Sequence, residues 1–550
     1  MPPFKLETPP ASITVFSGER SFALTPRSSG QWSGEDICLA FEQKAGALGV
    51  TLTAGSQPVE RLHLRWRQRV PEGLRYLGDA WERGYGDLEW RLLVPERVLP
   101  WYFLAYDGQA THGCGVRTQP GALCFWRVDP EGLSLWLDVR NGGLGVLLNG
   151  RTLKACEIVT RQGEPGETPF AAAQAFCRQL CPQPRLPAEP VYGSNNWYYA
   201  YGRSSQADIL EDTRLLVDLA PGGTNRPYMV IDAGWQPRAA ADVICGGPYQ
   251  PGSARFPAMA GLAAEMRALG ARPGLWMRPL AAYPGDPAEY LLDPRRALSS
   301  AQMGDLLDPS HPAVLARLRA DLRQMRAWGY ELIKHDFSTW DLFGRWGFQM
   351  GALLTNPGWH FHDRTRTTAE IILDLYRAMR GAVDEAGAAL IIGCNTIGHL
   401  TAGLYELQRA GDDTSGREWE RTRKMGVNTL AFRGPQHDTF FAVDADCMGY
   451  TGAMPWELNR RWLDLLARSG TPLFVSAEPR LTGPEQRQAL RAAFAQAARP
   501  QPQAEPLDWL ENTCPARWRM AGEVTEYDWY GPAGLPLRGS SIQLWWGTSE

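Results

Sequence analysis

Residues 312–337 read PAVLARLRADLRQMRAWGYELIKHDF, and this stretch decides the architecture. Leu315, Leu318, Leu322 and Met325 recur at helical spacing, which predicts an amphipathic helix from Pro312 to Trp328 with proline at its first position. The run 331–337 that follows is short and apolar and reads as a buried strand. Neighbouring strand side chains alternate, so Lys334 and Asp336 share one face while Ile333, His335 and Phe337 take the other. Burying charge without a partner costs several kcal/mol. A Lys-x-Asp closing an apolar run therefore reads as a working site, with a structural ion pair capping the strand as the alternative.

The same alternation extends outward. Candidate strands at 191–199, 227–234, 273–279, 331–337, 390–395, 404–409, 441–447 and 472–476 alternate with helices, among them 368–386, 456–468 and 483–498. This predicts a central (β/α)8 TIM barrel over 186–498. A doubly wound open sheet is the alternative, but no Gly-rich phosphate fingerprint follows the first strand. Upstream, residues 1–185 read as all-β. Leu62, Leu64 and Trp66 alternate with His63, Arg65 and Arg67, and Arg140-Asn141-Gly142-Gly143 is a turn signal. An N-terminal antiparallel β-sandwich is expected, with 181–187 as a linker. After Pro500 the runs Arg517 to Tyr530 and Ile542 to Trp546 are β-like again, a small C-terminal β domain over 499–550. The expected class is multidomain, α/β plus β.

A net charge of -4 and a pI near 6.1 carry no electrostatic footprint for nucleic acid. No run approaches the roughly 18 apolar residues of a membrane span. The N-terminus MPPFKLETPP lacks the apolar core of a secretory signal, which predicts a cytoplasmic location. The 10 cysteines include no CxxC pair and fall far below the density of a disulfide scaffold. The 22 Trp residues are the compositional oddity: aromatic faces pack on the C–H faces of sugars, although a Trp-rich core accounts for them equally well.

Barrel enzymes carry reactive groups at the C-terminal ends of their strands. Those ends hold Trp197, Asp232, Trp235, Trp276, Arg278, Lys334, Asp336, Cys394, Asn395, Arg409 to Asp413, and Asp446. Carboxylates, cations and aromatics without a His cluster suit glycoside cleavage by two carboxylates. The chain resembles the melibiase-type retaining α-galactosidases of glycoside hydrolase family thirty-six and their relatives in clan D. Tyr228 to Trp235 resembles the strand ending in Asp-Asp-Gly-Trp, and Ile333-Lys334-His335-Asp336 the Lys-x-Asp nucleophile strand. Gly393-Cys394 resembles the Gly-Cys strand, and Arg409-Ala410-Gly411-Asp412-Asp413-Thr414 the Arg-x-Gly-x-Asp-Thr segment.

The resemblance implies a hydrolase that cleaves terminal α-linked galactose by double displacement through a covalent glycosyl-Asp336 intermediate. Asp413 would be the acid/base, with the two carboxyl groups roughly 5–5.5 Å apart. Lys334 would keep Asp336 ionised and bond the sugar. Substrate contacts are expected from Trp197, Asp232, Trp235, Trp276, Lys334, Cys394 and Arg409. No cofactor or metal is expected. The partner is an oligosaccharide or glycoconjugate, never nucleic acid or membrane, and a homo-oligomer is consistent with the family. Alternatives are an α-glycosidase or transglycosylase for another sugar such as α-N-acetylgalactosamine, or a catalytically dead sugar-binding relative. Intact Lys334, Asp336, Arg409 and Asp413 argue against the last.

Four local features qualify this picture. Where relatives carry two adjacent Asp residues, this chain has Asp232-Ala233. Losing a charge-assisted hydrogen bond is worth roughly 1.5–3 kcal/mol, so the sugar specificity is expected to be relaxed. The Arg spacing and the following Thr favour Asp413 over Asp412, which is expected to be structural or to cap a helix from Arg417 to Met425. Trp359-His360-Phe361-His362-Asp363 has His-x-His spacing but no further ligand nearby, so loop packing or substrate contact is expected over zinc. The polar and aromatic stretch Gly78 to Gly86 either brings Trp81 to the barrel mouth or forms a surface hairpin.

Overall fold

In the computed structural model, which describes every residue except 1–3, 5, 7, 29, 241–243, 298–303, 531–533 and 535–550, the alternation at Leu62, Leu64 and Trp66 builds the strand Arg61–Arg67. Its three apolar side chains are buried, and it pairs antiparallel with Gly132–Asp138, setting Leu62 opposite Leu137 and Leu64 opposite Leu135. Both strands belong to a six-stranded sheet. An eight-stranded sheet that includes Ala47–Ala54 and Thr152–Arg161 contributes to the same apolar core.

One element departs from the all-β expectation. Pro169–Leu180 is a helix, with Thr168 Oγ1 accepting from the N–H of Ala171 at 3.1 Å and proline in the first turn. Phe170, Ala173, Phe176, Cys177 and Leu180 form its buried stripe. A Cβ on Gly113 would come 2.3 Å from the Phe176 ring, so glycine lets this helix seat on Thr111–Val116.

From Tyr192 onward, nine parallel strands form one sheet. Its spatial order is Ala442–Asp444, Leu407–Arg409, Leu390–Gly393, Leu332–His335, Arg272–Met277, Tyr228–Ile231, Tyr192–Asn195, Leu473–Ala477 and Met448–Tyr450. The strand expected over 441–447 is thus only Ala442–Asp444, and a second short strand, Met448–Tyr450, follows beyond that range. The two occupy opposite ends of the sheet, yet only Ala445, Asp446 and Cys447 separate them in the chain. The break falls at Asp446, whose φ is 71°. Strands end earlier than the apolar runs imply because the chain turns at their C-terminal ends, as where Trp197–Ala200 becomes a helical turn.

Helices Pro312–Trp328, Thr368–Asp384, Trp456–Arg468 and Pro484–Ala497 form where their periodicity places them. On the first, Val314, Leu318, Leu322 and Met325 are buried while Leu315 is half-buried, so the stripe is rotated by about one residue from its reading. Thr367 and Glu370 close a capping box on the second. Glu505–Pro506, Arg517–Met520 and Glu523–Glu526 make a small antiparallel sheet whose Trp518 and Met520 join the main core. The run Ile542 to Trp546 lies outside the described residues. Among the described residues no helix is long and apolar enough to cross a membrane.

Candidate active site

Asp336 follows the strand Leu332–His335 and is buried. Its Oδ2 accepts from Trp276 Nε1 at 3.0 Å, and its Oδ1 accepts from the backbone N–H of Phe337 at 2.8 Å. Phe337 presents that N–H from a left-handed conformation, φ 68°, which bulky residues seldom adopt and which functional sites tend to retain. The turn also carries the Phe337 ring to Trp276 and Trp346, away from the outer face that simple alternation assigns it. His335 keeps the outer face, buried against Tyr376 and Tyr405.

Lys334 shares the inner face with Asp336, as the alternation requires, but its Nζ lies 2.6 Å from Asp232 Oδ2. The same oxygen accepts from Asn195 Nδ2 at 2.7 Å, and Asp232 Oδ1 accepts from the N–H of Ala233 at 2.8 Å. Burial opposes the Lys334 ammonium, but attraction from Asp232, then Cys394 and Asp336, outweighs it and raises its pKa above the ordinary value. Ala233 itself belongs to a buried cluster with Tyr85, Trp276, Phe337 and Trp346. The position where relatives are expected to carry a second carboxylate therefore sits in an aromatic cluster.

Arg409 ends its strand buried among acceptors. Its Nη2 lies 3.3 Å from Asp413 Oδ1 and 3.1 Å from Asp446 Oδ2, and its Nη1 points at Cys394 Sγ, 3.6 Å away. Asp446 Oδ2 also accepts from Tyr198 and from Thr414 N and Oγ1, the latter two at 2.8 and 3.0 Å. The Asp413 side chain keeps 35% of its surface open to solvent. Partial burial pushes its carboxyl up, but Arg409, Arg83, Lys334 and Arg421 pull it down further, to about 2. Asp412 is structural, as expected, but through ion pairs to Arg83 and Arg421 (2.6 and 2.9 Å) rather than as a helix cap. The helix beyond it starts at Trp419 and continues as a π-turn over Thr422–Asn428.

Of the other sequence candidates, Trp276 and Cys394 adjoin Asp336 and Arg409 as described, and half-buried Trp197 packs against Tyr201 and the Ala233 cluster. Trp235 does not face this group: it is wholly enclosed against Tyr249 and Trp328, and its Nε1 donates to Trp276 O at 3.0 Å. It props the neighbouring strand from behind. Arg278 is likewise buried in a pair with Asp341 at 2.7 Å.

The residue that sequence reading passed over is Arg83. The stretch 78–86 was conspicuous, but Trp81 is buried against Trp101 and Phe125 and donates to Gly351 O at 2.8 Å. Arg83, two positions on, is the one that reaches Asp412 and Asp413. The His-x-His loop packs against the N-terminal β region, where Phe361 N–H donates to Asn141 Oδ1 at 2.9 Å. Among the described residues no group of three or more His, Cys, Asp or Glu is arranged to hold a metal. A cavity of about 780 Å³ lies between Trp456–Arg468, Pro484–Ala497 and the C-terminal sheet, and none of the groups above lines it.

No family model matches this sequence, and no curated protein matches it. Solved structures do share its fold. The α-galactosidase of Thermus thermophilus, in complex with p-nitrophenyl α-D-galactopyranoside, aligns over 89% of this chain and 97% of that one, with a TM-score of 0.59 and 20% identity. A family thirty-six α-galactosidase of Geobacillus stearothermophilus aligns over 84% of this chain and 67% of its own, with a TM-score of 0.59 and 16% identity. The cycloalternan-degrading enzyme of Trueperella pyogenes aligns over 94% and 87%, with a TM-score of 0.53 and 12% identity. At these identities the likeness is one of fold.

Proposed function

We propose that this chain is a retaining α-glycoside hydrolase acting on terminal α-linked galactose, with Asp336 as nucleophile and Asp413 as acid/base. One observation supports this above others. The strands that deliver Asp336 and Asp413 are separated in the sheet by one strand, Leu390–Gly393, and Cys394 at its end meets the Arg409 that contacts Asp413. Two carboxylates thus follow strand ends one strand apart in a parallel sheet, where a sugar held between them would be attacked from one and protonated from the other. Solved structures of this fold hold stachyose and raffinose, which fits an oligosaccharide substrate.

In this reading the nine-stranded sheet is a closed (β/α)8 barrel. Its end strands are two halves of one seventh strand, and a link with three intervening residues spans at most about 14 Å, which draws the sheet edges together. The chain then divides into an N-terminal β-sandwich over 1–185, the barrel over 186–498 and a C-terminal β domain over 499–550.

Asp336, oriented by Trp276 and the Phe337 N–H, attacks the anomeric carbon while Asp413 gives its proton to the leaving oxygen. Water then attacks the glycosyl-Asp336 ester with Asp413 as base. The cations around Asp413 favour its anion in the free site, which is the form the second step uses. The first step needs the proton, so a neutral sugar that displaces solvent must raise the Asp413 pKa on binding. Lys334 and Asp232, paired at 2.6 Å, offer a donor and an acceptor to the ring hydroxyls.

Ala233 favours a second reading, hydrolysis or transfer of another α-sugar, and one fold neighbour is named for degrading cycloalternan. Hydrolysis of an aryl α-galactoside, followed by NMR of the first anomer released, tests the leading one. An α-product supports retention; a β-product refutes it, and inactivity with galactosides but not other α-glycosides selects the second reading.

A further inference from the structure

We infer that Arg83, supplied by the N-terminal β region, is a positioning residue for proton transfer at Asp413; the inference rests on the acid/base reading above. The backbone brings it there. Gly84 N–H donates to Ala410 O at 2.7 Å and Asp412 N–H donates to Gly84 O at 3.0 Å, a short parallel bridge between the two segments. The approach depends on two glycines. A Cβ on Gly84 would lie 2.9 Å from Thr429 Cγ2, and one on Gly411 would lie 2.2 Å from Met425 O.

Seated this way, the buried Arg83 guanidinium spans two adjacent carboxylates, with Nη2 at 2.6 Å from Asp412 Oδ1 and Nη1 at 3.6 Å from Asp413 Oδ1. Nη1 also points at Cys394 Sγ, 3.7 Å away. Its plane is flanked by Tyr85 and Trp346 at 5.7 and 6.0 Å. The preceding residue grips the loop after the nucleophile strand: Glu82 Oε2 accepts from Tyr85 OH and from Gly347 N–H, both at 2.7 Å. Residues 82–85 therefore hold the acid/base segment with one side chain and the nucleophile's loop with another.

Other charged and titratable groups also face Asp413: Arg409, itself paired with Asp446, and Lys334, Arg421, Tyr198 and Tyr201. Arg409 contacts the same Oδ1 atom as Arg83. Arg421 also joins the two residues, but through Asp412 Oδ2 and the Asp413 backbone carbonyl, each at 2.9 Å. Arg83 joins their two carboxylates through one rigid fork, a geometry that a lysine ammonium cannot reproduce. Loss of that fork should spoil delivery of the Asp413 proton to the glycosidic oxygen while sparing attack by Asp336.

The test compares wild type, R83M and R83K on methyl α-galactoside, whose leaving group needs the proton, and on 2,4-dinitrophenyl α-galactoside, whose leaving group does not. General acid catalysis contributes about 10²–10⁴-fold. R83M is expected to lose about 10²-fold or more in kcat/KM on the methyl glycoside and less than about tenfold on the dinitrophenyl glycoside, with R83K between wild type and R83M. Equal losses on the two substrates, or no loss on either, would overturn the role. If R83M fails to fold by circular dichroism, R83K decides by the same comparison: a selective loss on the methyl glycoside supports the role, and parallel or absent loss overturns it. A wild type inactive on every α-glycoside removes the acid/base reading itself, whereas parallel losses from an active wild type remove only Arg83.

Discussion

Lys334 Nζ sits 2.6 Å from Asp232 Oδ2, on the far side of the intervening Trp276 strand, and so pairs with a carboxylate other than the one two residues ahead of it. The orientation of Asp336 is set instead by Trp276 and the Phe337 N–H. The Lys-x-Asp pattern thus supplies two separate parts of the site, an oriented carboxylate and a buried ion pair.

Asp336→Asn keeps an acceptor for one of the two donors and removes the carboxylate proposed to attack. Its activity on an aryl α-galactoside should fall by about 10³-fold or more, equivalent to about 4 kcal/mol of barrier. Activity surviving near the wild-type level would show that another group attacks.

Removing one partner of a buried ion pair leaves an uncompensated charge and costs about 3–5 kcal/mol. K334M, which strands Asp232, should be destabilised on that scale, and K334M/D232N should recover most of the loss. Urea unfolding of both variants checks this. Additive losses would mean that the pair contributes no coupling.

Ala233 within its aromatic cluster predicts weak discrimination among sugars. A missing charge-assisted bond of about 1.5–3 kcal/mol corresponds to roughly 10–150-fold in kcat/KM. Preference for galactoside over N-acetylgalactosaminide and glucoside should therefore lie below about 10³-fold. A stricter preference would show that another group replaces the absent carboxylate.

Behind the site, Asp212 accepts from Tyr199 OH, and burial raises its carboxyl to about 7. Such a group binds a proton in the folded state while the unfolded chain, near 3.9, has lost it. Its contribution to stability is full below about pH 4 and disappears as pH rises through 7. Asp212→Asn lacks this dependence, so its stability relative to wild type should improve between pH 4 and 8 by an amount on the order of a few kcal/mol. Melting temperatures of both proteins at the two pH values decide it; a constant difference contradicts the prediction.

Much of the strand and helix order could be read from the chain because hydrophobic period is local. The helix Pro312–Trp328 needs only its own residues to declare a buried stripe, and the strand Leu332–His335 only its own alternation. Motif residues at strand ends were legible for the same reason. The helix Pro169–Leu180 was missed despite a good cap and stripe, because β alternation dominates the chain before it. Trp235 was misjudged because a motif gives an address without a direction, and the turn after Tyr228–Ile231 sends that indole behind the sheet.

By itself, then, the sequence determined the succession of elements and the chemical types at their ends, through spacings of two and of three to four residues. Only the tertiary structure decided which of those groups meet. Arg83 and Cys394 stand 311 positions apart, and no periodicity relates them; Gly84 and Gly411 let two backbones approach until the bridge between them forms. Contacts of that kind depend on the packing of one region against another, which the pattern of a single segment does not encode.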